Sequence, residues 1–334
     1  MELSHVELAN KLWDVLCADF NQRGIIGSLC DASFEKYGTG PLLLACEALA
    51  DTIMHSKHDT IFVSFGFATP PGYVQETDGI SGAIFLVKSL KRLGVTTALI
   101  IDERPDVIRI TEETLKLTGL NPIFTDEYGV NLALLGRSSV PVVTLKTAGF
   151  SVKGAIADLF SDLPPSVIIF IEKAGHNYLG VYHSMKGVDV SSHHSRVEEI
   201  LELTRIYDAI TLAVGDGGNE VGMGVIEDTV RKVVPYGNIC KCPCKGGIAS
   251  NSIVNYLVTS VISNVGAYAI ELLTLKLLGK LNYAHTVEDE ILCLKTAVSN
   301  GAVDGVTGRP SIMVDGLPQH AYEKLLHRML NIIV

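Results

Sequence analysis

The stretch Gly215-Asp-Gly-Gly-Asn-Glu-Val-Gly-Met-Gly224 places five glycines around two carboxylates, Asp216 and Glu220. Glycine lets a backbone approach a ligand closely, and a glycine-rich turn leaves amides free to hold an anion. A tight strand-to-helix turn capped by Asp216 would also account for the glycines. It would not account for an Asp and a Glu in one buried turn, which are costly there without a partner. The pattern is not the dinucleotide-binding GxGxxG, because an acid stands where that fingerprint has a permissive residue.

Other candidates share this setting. The segment Ala68 to Gly82 carries Glu76, Asp78 and Gly79 just ahead of a helix. It is long for a strand-to-helix connection, which usually takes about two to six residues. Capping explains one of its acids, not its length. Gly175-His176-Asn177 puts a histidine at the end of an apolar run, where it can titrate near neutral pH. His183, His193 and His194 lie in a polar stretch and read as surface residues. Cys240-Lys-Cys-Pro-Cys244 groups three thiols, but without CxxC spacing or an obvious fourth ligand it reads as incidental rather than as a zinc site. Asp304-Gly305 and Asp315-Gly316 read as turns.

These residues need a scaffold that brings them together. Helical periodicity spans Val6 to Phe20 and Pro41 to His55, a helical lead-in over residues 1–58. Short β-branched runs follow: Thr60 to Gly66, Thr97 to Ile101, Ser139 to Thr144, Ser166 to Ile171 and Ala209 to Val214. Pro141 argues for an edge position of the third. Amphipathic helices separate the runs, among them Gly79 to Leu93, Pro105 to Thr118 and Ser195 to Tyr207, while Tyr256 to Ser263 fits strand or helix. Apolar strands alternating with helices predict an α/β three-layer sandwich with a mostly parallel, doubly wound sheet. No linker divides it, so residues 1–334 read as one domain. In such sheets ligands bind beyond the carboxyl ends of the strands, so the loops after Phe65, Ile101, Ile171 and Val214 should share one crevice.

Composition narrows the function classes. The 334 residues are 47% hydrophobic and carry a formal charge of -10, with no basic cluster longer than two residues. A nucleic-acid backbone binder needs the opposite. The most apolar segment, Ile253 to Leu278, contains Asn255, Ser263, Asn264 and Glu271 and is too polar for a membrane span. The N-terminus lacks a secretory signature, and seven scattered cysteines suggest reduced thiols and a cytoplasmic protein. The expected partner is a small molecule, and a homo-oligomer is compatible with this composition.

The segments PPGYVQETDGISGA (Pro70 to Ala83), GHNYLGVYHSMKG (Gly175 to Gly187), GDGGNEVGMG (Gly215 to Gly224) and SNVGAYA (Ser263 to Ala269) resemble the C-terminal domain family of D-glutamate cyclase. Asp304-Gly-Val-Thr-Gly308 fits the same picture. The resemblance covers roughly residues 60–310. It implies a carbon–oxygen lyase that dehydrates D-glutamate to 5-oxo-D-proline. Such a reaction needs a general base for the ammonium, a general acid for the departing oxygen and a stabiliser for the oxyanion. Asp216 or Glu220 would take the proton, and His176 or Glu76 would give one. Amides of Gly215 to Gly218, backed by a helix dipole, would hold a carboxylate or the oxyanion. Asp78, Gly79, Asn177, Gly217, Gly218, Asn219 and Asn264 complete the expected substrate contacts. Mg²⁺ or Mn²⁺ on Asp216 and Glu220 is the alternative way to polarise the γ-carboxylate.

Two rivals follow from the same residues. GDGGNE is similar to the metal loop of haloacid dehalogenase-type phosphatases, but the DxDxT nucleophile after the first strand is missing. A non-catalytic small-molecule-binding protein would be stabilised by its ligand without changing it.

Overall fold

The computed structural model describes residues 3–55, 60–125 and 136–334. Three helices lead: α1 (His5–Leu16), α2 (Ile26–Tyr37) and α3 (Pro41–His55). Ser4 starts α1 with a reciprocal capping box. Its hydroxyl accepts from the Glu7 amide, and the Glu7 carboxylate accepts from the Ser4 amide at 2.8 Å. Helix α1 buries Leu8, Leu12, Val15 and Leu16. There follow β1 (Thr60–Gly66), a small ribbon of β2 (Ala68–Thr69) and β3 (Val74–Gln75), α4 (Ile80–Arg92), β4 (Thr96–Asp102), α5 (Pro105–Leu117), β5 (Asn121–Thr125), β6 (Ser139–Leu145), α6 (Lys153–Asp162) and β7 (Pro165–Lys173). The chain continues with α7 (Glu198–Thr204), β8 (Ile210–Gly215), α8 (Glu227–Val233), β9 (Tyr256–Thr259), α9 (Ser263–Leu277), α10 (Val287–Ser299), the ribbon β10 (Met313–Val314) and β11 (Leu317–Pro318), and α11 (Gln319–Ile333).

The central sheet has seven strands in the order β5-β6-β4-β1-β7-β8-β9, and every neighbouring pair is parallel. Helices cover it as a three-layer sandwich. All residues of β1 are buried, as a strand covered on both faces requires. Helix α9 packs against α3 and α4 and is buried along nearly its whole length. That burial explains the apolar stretch after Ile253, and Tyr256 to Ser263 resolves into β9 and the first residue of α9. Among the described residues no helix is long and apolar enough to cross a membrane.

Three expectations need correction. Strand β6 is interior, because β5, which the sequence reading did not resolve, forms the edge beyond it. Pro141 is tolerated since pairing with β4 starts one residue later, at Val142. Cys17, which caps the C-terminus of α1, and Cys30 in α2 are not free thiols but a disulfide with Cα atoms 5.8 Å apart, which sequence spacing does not reveal. Helix α7 begins at Glu198 rather than Ser195, whose amide and hydroxyl are held by Asp102 at 3.0 and 2.6 Å.

Chain order makes the switch point visible. From central β1 the chain moves to β4 on one side, then later crosses to β7, β8 and β9 on the other. The crevice beyond the carboxyl ends of β1 and β7 is where a doubly wound sheet receives ligands.

Candidate active site

A cavity of about 160 Å³ opens at that switch point. This is below the roughly 300–1,000 Å³ of drug-sized sites and suits a small metabolite. Phe67, Thr69 and Glu76 reach it from the segment after β1, Glu172 from the end of β7, and Asp216 and Asn219 from the turn after β8. Ser184, Met185 and Lys186 form one wall. Arg23, from the connection between α1 and α2, and Gly305, Val306 and Asp315, from beyond α10, close it. Its walls thus carry four carboxylates against two cations, Arg23 and Lys186.

Local backbone explains how the acids are aimed. Glu172 adopts a left-handed φ of 43° where the β1–β7 register shifts, an irregularity that redirects a side chain at a strand end. Its carboxylate accepts from the Ser263 hydroxyl at 2.6 Å. Glu76 accepts from the Thr69 hydroxyl at 3.0 Å. Gly305 passes so close to Glu76 Oε2 that a Cβ there would collide with it. Arg23 donates from one nitrogen to Asp216 at 2.7 Å and to Asp315 at 2.9 Å.

Burial dominates the electrostatics. It pushes the carboxyls of Glu76, Glu172 and Asp216 well above the ordinary range, and the neighbouring acids push them further. At Asp216 the Arg23 charge pulls the other way. Burial alone would lower the Arg23 pKa, but Asp216 and Asp315 more than reverse that, so its charge is fixed. Two buried polar atoms on the cavity wall, Ser184 Oγ and Asn219 Oδ1, have no hydrogen-bond partner among the described residues. Buried polar atoms are rarely left so, and both are free to meet a ligand.

Of the residues predicted from sequence, Glu76, Asp216 and Asn219 line this cavity together. The rest have other partners. The Glu220 carboxylate accepts from the amides of Asp216, Gly217 and Gly218 at 3.2, 2.7 and 2.7 Å, so the chain supplies its own anion to that turn. No α-helix starts within it: Gly218 and Gly222 take φ values of 100° and 94°, a single 3-10 turn spans Met223–Ile226, and α8 begins only at Glu227. The expected α-helix dipole directly behind the Gly215 to Gly218 amides is therefore absent. Asp78 accepts from the amides of Gly79, Ser263 and Asn264 at 2.9, 2.7 and 2.7 Å, holding the start of α9. Burial and Asp315 nevertheless push its carboxyl up to about 8. Asn264 bridges Gly82 and Thr77. His176 turns toward Glu198 and its own neighbour Asn177, which binds the backbone around Gly247.

A second buried network braces the cavity. Asp102, at the end of β4, takes Lys173 at 2.6 Å and His194 Nδ1 at 3.0 Å. Burial lowers the His194 pKa to about 4, which leaves the ring neutral, so Nδ1–H donates to Asp102 and Nε2 accepts from the Ala68 amide at 3.3 Å. His194 meets Phe67 edge-on at 5.3 Å. The loop after β4 thus supports the crevice from behind. His183 and His194 are buried rather than on the surface, because both turn inward to specific partners.

Residues 14–330 match the D-glutamate cyclase-like, C-terminal family. The chain belongs to that family. A human relative, "D-glutamate cyclase, mitochondrial", is 28% identical over 246 residues, covering 70% of this chain and 35% of the relative. The chain therefore spans about a third of that relative's length. Asp78, Glu172 and Asp216 each offer an oxygen within 4.8 Å of the others, the spacing of a divalent-cation site. Glu220, committed to backbone amides, is not in that group.

Arg23, Glu172, Lys186 and Asp315 were not among the predicted site residues. Glu172 ends an apolar strand two residues before Ala174, a signal the sequence does carry. Arg23 lies 193 residues from Asp216 and 292 from Asp315, and nothing local marks it.

Proposed function

We propose that this cavity cyclises glutamate, dehydrating D-glutamate to 5-oxo-D-proline as a lyase. The supporting observation is the charge pattern: buried acids with raised pKa values beside Arg23 and Lys186, in a cavity of amino-acid size within a D-glutamate cyclase-like chain. The acids suit an ammonium, and the two cations suit carboxylates. Bringing the amine to the γ-carbon makes the attack intramolecular, which can supply several kcal/mol of the barrier.

In this reading Asp216 takes a proton from the ammonium. The nitrogen lone pair forms the N–C bond, and Lys186 with the Ser184 hydroxyl faces the developing oxyanion, whereas Asn219 Oδ1, an acceptor, suits the ammonium. Glu76, kept protonated by burial, gives its proton to the departing oxygen as the C–O bond breaks. The nitrogen releases two protons in all: Asp216 passes the first to the departing oxygen and takes the second, Glu76 supplies the oxygen's other proton so that it leaves as water, and the proton left on Asp216 then restores Glu76. His176, Glu220 and Asn177 act through the fold, holding the turns that carry the cavity walls. Mg²⁺ or Mn²⁺ held by Asp78, Glu172 and Asp216 would add Lewis-acid polarisation of a carboxylate.

The test is direct. Purified protein is incubated with D-glutamate, with and without Mg²⁺ or Mn²⁺, and 5-oxoproline is followed by NMR, with L-glutamate as the comparison. Asp216→Asn and Glu76→Gln should each lower kcat by about 10²–10⁴-fold. No turnover by the unaltered chain sinks the reaction; thermal stabilisation by D-glutamate without turnover would mark a binding protein instead. Full activity in Asp216→Asn removes that residue from the proposal.

A further inference from the structure

Beside the cavity, on the far side of its Ser184–Lys186 wall, four soft ligands converge. His183 Nε2 lies 3.2 Å from Cys242 Sγ and 3.5 Å from Cys244 Sγ. The three sulfurs are 3.5 Å (Cys240–Cys242), 3.3 Å (Cys240–Cys244) and 3.2 Å (Cys242–Cys244) apart. All four ligand atoms fall within 4.8 Å of one another, and His183 and Cys240 are buried. Thiols are weak donors and weak acceptors. Three of them gathered on an imidazole nitrogen gain little from hydrogen bonding.

They match a metal well. Around a tetrahedral zinc, Zn–S of about 2.3 Å and Zn–N of about 2.0–2.1 Å set ligand separations of roughly 3.5–3.8 Å. The observed spacings need an outward shift of only a few tenths of an ångström. We propose that His183, Cys240, Cys242 and Cys244 form a closed Cys₃His zinc site with a structural role. Four protein ligands leave no open position for chemistry. The outer contacts suit thiolates: the Gly246 amide donates to Cys244 Sγ at 3.4 Å, and Asn177 Nδ2 lies 3.7 Å from the same sulfur while donating to Gly247 O. The sequence alone hides the site, because its fourth ligand lies 57 residues before Cys240 in a segment that reads as polar surface.

The location says what the zinc would hold. His183 precedes a tight turn in which the Ser184 amide donates to Val188 O and the Gly187 amide to Ser184 O, both at 2.9 Å. That turn presents Ser184, Met185 and Lys186 to the cavity. The His183 carbonyl accepts from Asn219, another cavity residue, at 2.7 Å. Zinc would cross-link the cavity wall to the 240–244 loop, which is otherwise joined to it by the Lys241 amide on Gly187 O at 3.0 Å.

The full chain, stripped by chelator under reducing conditions and reloaded with Zn²⁺, should hold one zinc by elemental analysis. Reloading with Co²⁺ should give an intense thiolate charge-transfer band with the d–d bands of a tetrahedral ion. Cys242→Ser and His183→Ala should weaken zinc retention against a competing chromophoric chelator by at least about tenfold, whereas Cys46→Ser and Cys293→Ser should not. Should Cys242→Ser misfold, the unaltered chain still decides: its three thiols should react with a thiol reagent only after zinc is removed. Absence of bound zinc after reloading, a disulfide between any two of the three cysteines in the native chain, or unchanged retention in a folded Cys242→Ser chain would overturn the site. None of these readouts depends on glutamate turnover.

Discussion

Arg23→Met isolates the role of the single cation fixed among the cavity acids. Methionine keeps an unbranched stem of similar reach and removes only the guanidinium. Asp216 and Asp315 then lose a charged donor at 2.7 and 2.9 Å. Removing one partner of a buried ion pair costs about 3–5 kcal/mol. The Arg23 side chain keeps 18% exposure, which places the loss near the lower end, about 3 kcal/mol at pH 8. The loss must depend on pH. Without Arg23 the folded-state pKa of Asp216 rises further above its unfolded value, so the folded chain binds more protons than the unfolded one. Stability then falls as pH rises from the ordinary carboxylate range through the raised value. As pH falls and the raised Asp216 carboxyl binds its proton, the difference from the unaltered chain should shrink towards about 1 kcal/mol of lost packing. Urea titrations at pH 5 and pH 8 read this directly, using the fluorescence of Trp13, which is the sole tryptophan and packs on Phe34 at 6.4 Å. Equal losses at the two pH values would refute the electrostatic account of the cavity, and so would a loss below about 1 kcal/mol at pH 8.

Two further changes probe the surroundings. His285 lies between Glu271 at 2.6 Å and Glu290 at 2.9 Å; burial opposes its charge, yet the two carboxylates raise its pKa to about 9. Its contribution, about 3 kcal/mol, is complete below pH 6.5 and disappears as pH rises through 9, so the urea midpoint of the unaltered chain should fall more steeply over that window than that of His285→Gln, in which only the cavity acids still titrate. Gly305→Ala puts a Cβ against Glu76 Oε2 and should lower kcat by about 100-fold. Because the effect runs through Glu76, adding Gly305→Ala to Glu76→Gln should change kcat little further, and a multiplicative double variant would contradict the assignment.

The sheet was legible because its strands are short apolar runs punctuated by glycine and acid, a signal that survives without tertiary information. Strand β5 was not, since Asn121-Pro-Ile-Phe-Thr is a half-exposed edge whose pattern is weak. Within the site, Asp216 directly follows the β8 run and Glu76 lies in the overlong connection after β1, so chain position alone points to the crevice. Glu220 shows the limit of that logic. A glycine-rich turn with free amides and an acid four residues on looks like an anion site beside a base, and only coordinates show the acid folding back onto the amides. Asp315 and Gly305 read as turn residues, and both do occupy turns; what the turn faces is decided by α10 and α11, far from the sheet edge. Asp78 likewise accepts from the first amides of α9, a role that chain position does not show, while an oxygen of it also faces Glu172 and Asp216.

Arg23 carries the same lesson into function. The helical lead-in is not an appendage to the sheet, because it delivers the one guanidinium that pairs with the acid after β8. One guanidinium does not neutralise Glu76, Glu172, Asp216 and Asp315 together, which is why burial can hold three of these carboxyls above their ordinary range. Such a cluster is poised to exchange protons for another cation. Under the proposed reaction that cation is the substrate ammonium, and its arrival beside Asp216 lowers the Asp216 pKa while Glu76 keeps its proton. One carboxyl then becomes a base as its neighbour stays an acid, and the separation of roles comes from the ligand itself.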